Sequence, residues 1–100
     1  MKIRLEFGGG LHLLAGDVKV RDLDLPPREG TDSQWRMKEL LPWIRDNIIL
    51  VKHELFMRDE SLRPGILALI NDVDWEICGG AEAPVTDGDD VVFVSTLHGG

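Results

Sequence analysis

One stretch of the chain constrains its architecture more than any other. In TDSQWRMKELLPWIRDNII, the residues Met37, Leu40, Leu41, Ile44 and Ile48 recur at i, i+3, i+4, i+7 and i+11, which lines them up on one face of an α-helix. Thr31 followed by Gln34 has the form of a capping box, and Asp32 or Ser33 would also serve as N-cap. Pro42 lacks the N–H that would bond to the Lys38 carbonyl, so the spacing predicts a kink there or a helix shorter than the pattern.

The other apolar segments read as strands. KIRLEF alternates Ile3, Leu5 and Phe7 with charged residues, the period of a half-buried strand, and Gly8-Gly9-Gly10 ends it in a turn. DVKVRDLDL predicts a second strand; Val18 and Val20 share one parity and Leu23 and Leu25 the other, which suggests a bulge near Arg21-Asp22 and an N-terminal hairpin. Pro64-Gly65 suits the centre of a type II turn, Ile66 to Ile70 a strand buried on both faces, and Asn71-Asp72 a further turn. Trp75-Glu76-Ile77 reads as a short returning strand and Val91 to Val94 as the last one. The order β-β-α-β-β-β is that of an α+β domain with one helix to cover one sheet.

One hundred residues can bury a single core without a disulfide or structural metal, and the lone Cys78 cannot form an intrachain bridge. With no apolar run long enough to span a bilayer and no signal-peptide pattern at MKIRLEF, a soluble protein of a reducing, cytoplasmic compartment is expected, without membrane association. Charge is uneven. Residues 1–50 hold eight Lys/Arg and eight Asp/Glu, whereas residues 51–100 hold three against ten, so the net charge of −7 lies in the second half. That half would repel a phosphate backbone, which argues against direct nucleic-acid binding and leaves a basic protein partner or simple solubility as readings.

Catalytic patterns are lacking. Gly8-Gly9-Gly10 fits neither a dinucleotide fingerprint nor a phosphate loop, and His12, His53 and His98 are scattered. Cys78 reads as a small buried apolar residue, DGDD at 87–90 as a turn, and Asp72, Asp74 and Glu76 as solvated turn carboxylates. No metal site and no bound cofactor is expected.

The stretch STLHGG remains. At ordinary glycine usage, two glycines in the last two positions arise by chance about once in 200 chains. Gly99 and Gly100 carry no Cβ and can thread a channel too narrow for side chains, which makes the Gly100 carboxylate the special group. A carboxylate is a poor electrophile until converted to a mixed anhydride, such as an acyl-adenylate made from ATP. Its acyl carbon can then be attacked by a lysine amine or by a sulfur nucleophile.

DESLRPGILALINDVDWEI and TDGDDVVFVSTLHGG, together with the opening LEFGGGLHLL, resemble the ubiquitin-related modifier family over nearly the whole chain. The resemblance implies a β-grasp fold, a mixed sheet curled around one main helix, with residues 1–94 as a single domain and 95–100 as a flexible tail. It further implies a protein that is not an enzyme but a sulfur carrier. Gly100 would be adenylated by a ubiquitin-activating-type adenylyltransferase with a rhodanese domain, at the expense of that enzyme's ATP, and then thiocarboxylated. The sulfur would pass through a tRNA thiolase complex to wobble uridine, and Gly100 could also be joined to lysines of target proteins. Thr96, Leu97, His98 and Gly99 would be the segment the activating enzyme recognises, and the carrier is expected to be monomeric. A carrier for molybdopterin or thiamine synthesis and a β-grasp interaction module that is never conjugated are the alternatives.

Overall fold

A computed structural model of the chain describes residues 1–30 and 33–96. In chain order the elements are β1 (Lys2–Gly8), β2 (Val20–Asp24), β3 (Trp35–Arg36), helix α1 (Met37–Asn47), β4 (Met57–Arg58), β5 (Ser61–Leu62), β6 (Ile66–Ile70), β7 (Val73–Asp74), β8 (Pro84–Val85) and β9 (Asp90–Ser95). Five strands form one mixed sheet in the order β2-β1-β9-β6-β7. Strand β9 lies at its centre, parallel to β1 and antiparallel to β6.

The alternation in β1 sends Ile3, Leu5 and Phe7 to one face of this sheet, and the register places Val91 and Phe93 of β9 and Ala68 and Ile70 of β6 beside them. These residues and Met37, Leu40, Leu41, Ile44 and Ile48 of the helical face are all buried in one cluster. The predicted helical face is thus the one that covers the sheet. Because only one face is covered, Leu67 and Leu69 on the other side of β6 are half-buried, contrary to the expectation of burial on both faces.

The helix starts later than its sequence signals. Trp35 and Arg36 are extended and pair with Val85 and Pro84, which keeps the first turn from forming before Met37. Trp35 is buried edge-on against Trp43, and its indole N–H donates to the Pro26 carbonyl at 3.1 Å. Gln34 does not cap the helix, since its amide donates to the carbonyls of Trp35 and Val85. Arg36 is the N-cap, and its N–H donates to the Glu39 carboxylate at 3.1 Å, where an acid also complements the positive end of the helix. Of the other expected capping residues, Thr31 and Asp32 lie outside the described residues. The helix runs on through Pro42 to Asn47 and is shorter than the pattern at its start, where the pairing of Trp35 and Arg36 with Val85 and Pro84 holds the chain extended.

Two further readings change. β1 and β2 pair without interruption from Lys2↔Asp24 to Glu6↔Val20, so there is no bulge. The parity conflict resolves differently: Val18 and Val20 are exposed, and Arg21 takes the core-side position opposite Leu5, from which its guanidinium donates to the Ala15 carbonyl at 2.7 Å. An inward-pointing charge of this kind also protects an edge strand from pairing with another chain. The returning strand after Asn71-Asp72 is Val73–Asp74, two residues earlier than predicted. Both turn residues have positive φ (51° and 68°), which makes a tight hairpin, and the Asp74 carboxylate then accepts the Glu76 N–H at 2.9 Å and curls the chain away from the sheet.

Candidate functional site: the root of the C-terminal segment

The stretch STLHGG begins at the last residue of β9. Leu97, His98, Gly99 and Gly100 lie outside the described residues, so the geometry concerns Ser95, Thr96 and what holds them. The last rung of the β6–β9 ladder pairs Ser95 with Ile66. Beyond it, the Thr96 backbone N–H donates to the Gly65 carbonyl at 2.8 Å, and the Thr96 hydroxyl donates to the same oxygen at 2.6 Å. The strand therefore reaches Ser95, and Thr96 is still fastened to the domain.

Gly65 can offer that oxygen because of its turn. Pro64 presets its own φ, Gly65 adopts a φ of 98°, and the Ile66 N–H closes on the Arg63 carbonyl at 3.1 Å. This is the type II turn that RPGI predicts. Its geometry turns the carbonyl towards the end of β9.

On the other side of β9 stand the glycines after β1. Gly8 pairs with Val94, and a Cβ there would touch the Val94 side chain at 3.4 Å. Gly9 has φ +64°, and a Cβ there would meet the Ser95 carbonyl oxygen at 2.2 Å and the Ser95 nitrogen at 2.9 Å. No side chain fits between these backbones. The turn expected of Gly8-Gly9-Gly10 holds for Gly9 and Gly10, whereas Gly8 is the last residue of β1; nothing local in three glycines says which distant strand passes over the middle one.

Three separate motifs, EFGGG, RPGI and ST, thus meet at one point, where the chain leaves the sheet. The strand order β1-β9-β6 brings them together, since β9 lies between the end of β1 and the start of β6. Beneath this root the core is aromatic. Phe7, Phe56 and Phe93 are buried in mutual contact, with ring centroids 5.3 to 6.3 Å apart.

Of the residues weighed for other chemistry, the acidic turn residues sit apart from this point, whereas His12 lines the same shallow depression as Gly8, Gly9 and Gly10. Asp89 accepts hydrogen bonds from the Thr86 N–H, the Thr86 hydroxyl and the Asn71 amide, and Asp87 accepts the Lys2 N–H, so the DGDD segment is the turn expected of it. That turn precedes β9 and lies at the opposite end of the strand from Thr96. His12 faces Asp17 at 3.5 Å, and His53 contacts the Ile49 carbonyl at 2.8 Å. Cys78 is half-buried at the edge of the core, less enclosed than a fully buried thiol. Among the described residues no three His, Cys, Asp or Glu side chains gather into a metal site, and no helix is long and apolar enough to cross a membrane.

Comparison with known proteins agrees with this arrangement. Residues 2–100 match the family described as ubiquitin related modifier. A ubiquitin-related modifier 1 homolog of Chlamydomonas reinhardtii is 49% identical over 100 residues, covering 100% of this chain and 99% of that protein. The solution structure of Urm1 from Trypanosoma brucei superimposes with a TM-score of 0.80 at 36% identity, covering 99% of this chain and 95% of that one. SAMP1 from Haloferax volcanii, at 15% identity and a TM-score of 0.73 over the full length of both chains, shares the fold. With its mixed sheet wrapped on one helix and its signature motifs gathered at the root of the terminal segment, the chain is a β-grasp protein and belongs to the ubiquitin-related modifier family.

Proposed function

We propose that this protein is a sulfur carrier and protein modifier that acts through the carboxylate of Gly100. The observation that carries the reading is the STLHGG segment leaving β9 at a root built from backbone and glycine, Gly9 on one side and Gly65 on the other. An activating enzyme with adenylyltransferase and rhodanese domains binds the domain and takes Leu97, His98 and Gly99 into its channel, with Thr96 at the channel mouth. The Gly100 carboxylate attacks the α-phosphorus of ATP and expels pyrophosphate. A persulfide sulfur then displaces AMP from the acyl carbon, and a thiol cleaves the S–S bond to release the thiocarboxylate and leave a disulfide on the donor. In this scheme the carrier binds no cofactor of its own, since ATP belongs to the activating enzyme.

The thiocarboxylate supplies sulfur, through a tRNA thiolase complex, for 2-thiolation of wobble uridine in the cytoplasm. Attack by a lysine amine on the activated carbonyl yields an isopeptide bond to a target protein instead. The acidic second half of the chain accords with a monomeric carrier that does not itself bind tRNA.

Intact-mass analysis tests the chemistry. After incubation with the activating enzyme, ATP and a sulfur donor, one oxygen of Gly100 is expected to be replaced by sulfur. Unchanged mass, together with normal tRNA thiolation in cells whose protein lacks Gly100, would sink the reading. Cells without the protein should lose thiolated tRNA and keep molybdenum-enzyme activity.

A further inference from the structure

Resting on that reading, we propose that Thr96 is a positioning residue: its hydroxyl is committed to the Gly65 carbonyl inside the domain and sets the point from which the reactive segment starts. Part of the segment assigned to enzyme recognition would then be read by the protein itself.

A threonine hydroxyl has one proton, and here it is directed at Gly65 O at 2.6 Å, the short end of the O–H···O range. Used this way, the hydroxyl has no donor left for a partner. The Thr96 N–H goes to the same oxygen at 2.8 Å, so a single carbonyl receives both donors of one residue and holds its backbone and side chain together. Gly65 has the φ of 98° that aims this carbonyl, and Gly9 closes the opposite side, where its missing Cβ would lie 2.2 Å from Ser95 O. The exit point is held from two sides by main chain, which cannot rotate away as a side chain can.

The consequence is a fixed length. From Thr96, four residues lead to Gly100, and at full extension they span at most about 14 Å. If the clamp opens and the strand frays to Val94, six residues lead there, and the end explores a volume larger by the three-halves power of length, roughly twofold. A hydrogen bond of ordinary net strength is by itself about fivefold in the open fraction of the clamp, so the two effects bracket a loss of about two- to fivefold. Because the clamp orders the free protein before chemistry, its loss weakens binding and leaves the chemical step alone.

Two variants and two readouts decide it. Thr96→Val keeps the shape and loses the hydroxyl; Thr96→Ser keeps the hydroxyl. With Thr96→Val, amide hydrogen exchange at residue 96, corrected for intrinsic rates, should quicken about fivefold while Phe93 is unchanged. In ATP–pyrophosphate exchange by the activating enzyme, the KM for the protein should rise two- to fivefold at constant kcat. Thr96→Ser should restore both. A raised KM with unaltered exchange would mean that the enzyme reads the hydroxyl directly and overturns the proposal, as does faster exchange with no change in KM, or a serine variant that behaves like valine in both. If the wild-type protein is never activated, the functional reading falls separately. The clamp is then judged on exchange alone, and an unprotected residue 96 amide in the wild type refutes it.

Discussion

The backbones of Gly9 and Ser95 pass so closely that a methyl group on Gly9 would overlap the Ser95 carbonyl oxygen, at 2.2 Å. Gly9→Ala therefore combines positive-φ strain with a backbone clash that cannot be relieved by a rotamer change. It should lower stability by about 3 kcal/mol in urea unfolding. Gly10 has φ +90° and open space around its missing Cβ, so Gly10→Ala should cost only about 1 kcal/mol. Equal losses at the two positions would contradict the close approach.

Phe56 ties the loop after the helix to the sheet, since its ring meets Phe93 at 5.3 Å and Phe7 at 6.3 Å, both edge-on, and is fully buried. Phe56→Ala should cost about 3–5 kcal/mol and Phe56→Leu near 1 kcal/mol, because leucine refills most of the volume. Chemical denaturation distinguishes the two. A small loss for alanine would place the ring outside the core.

Asp89 gathers the turn before β9 by accepting three hydrogen bonds, while the Asn71 side-chain oxygen accepts the Asp90 N–H at 2.9 Å. Asp89→Ala should destabilise by about 1–2 kcal/mol. Calcium added to the wild type should leave the thermal midpoint unmoved, since the Asp87 and Asp89 carboxylates are taken by protein donors. A rise in Tm with calcium would assign DGDD a role in ion binding.

Pro42 stands inside an eleven-residue helix and denies the Lys38 carbonyl its usual donor. Pro42→Ala restores that hydrogen bond and should stabilise the protein by about 1–2 kcal/mol, less than the full helix-interior difference of about 3 because the ring is half-buried. A destabilised alanine variant would show that the ring's packing outweighs the missing bond.

Asp46 has its carboxyl pKa lowered, chiefly by the hydrogen bond from Arg45 at 2.8 Å, and Arg45 is correspondingly raised. A depressed folded-state pKa adds stability that is present above the unfolded value and lost as pH falls through the folded one. Asp46 is exposed and Arg45 partly so, and solvent screens the pair, so Arg45→Ala should raise the Asp46 pKa in an NMR titration while leaving the acid side of the stability profile nearly unchanged.

Much of this was legible before folding was considered. The helical face of Met37 to Ile48 and the alternation of Ile3, Leu5 and Phe7 are local periodicities, and each forecast which side is buried. The Pro64-Gly65 and Asn71-Asp72 turns follow from residue chemistry alone. The β3–β8 and β4–β5 pairings were not legible, because a two-residue strand has no period to detect. Trp35 and Arg36 carried a helical pattern and became extended once Val85 and Pro84 offered backbone partners.

For the functional segment the division is sharper. The residue types of STLHGG, RPGI and EFGGG determined what each stretch could do: a terminal carboxylate on glycines, a type II turn, a strand ending in a glycine turn. Which of them would touch was decided by tertiary structure. Residues 9, 65 and 95 are far apart in sequence, and their meeting depends on β9 inserting between β1 and β6. That insertion is settled by burying Val91 and Phe93 against Phe7, Ala68 and the helix, a cooperative packing term summed over the whole core that no short stretch of sequence contains.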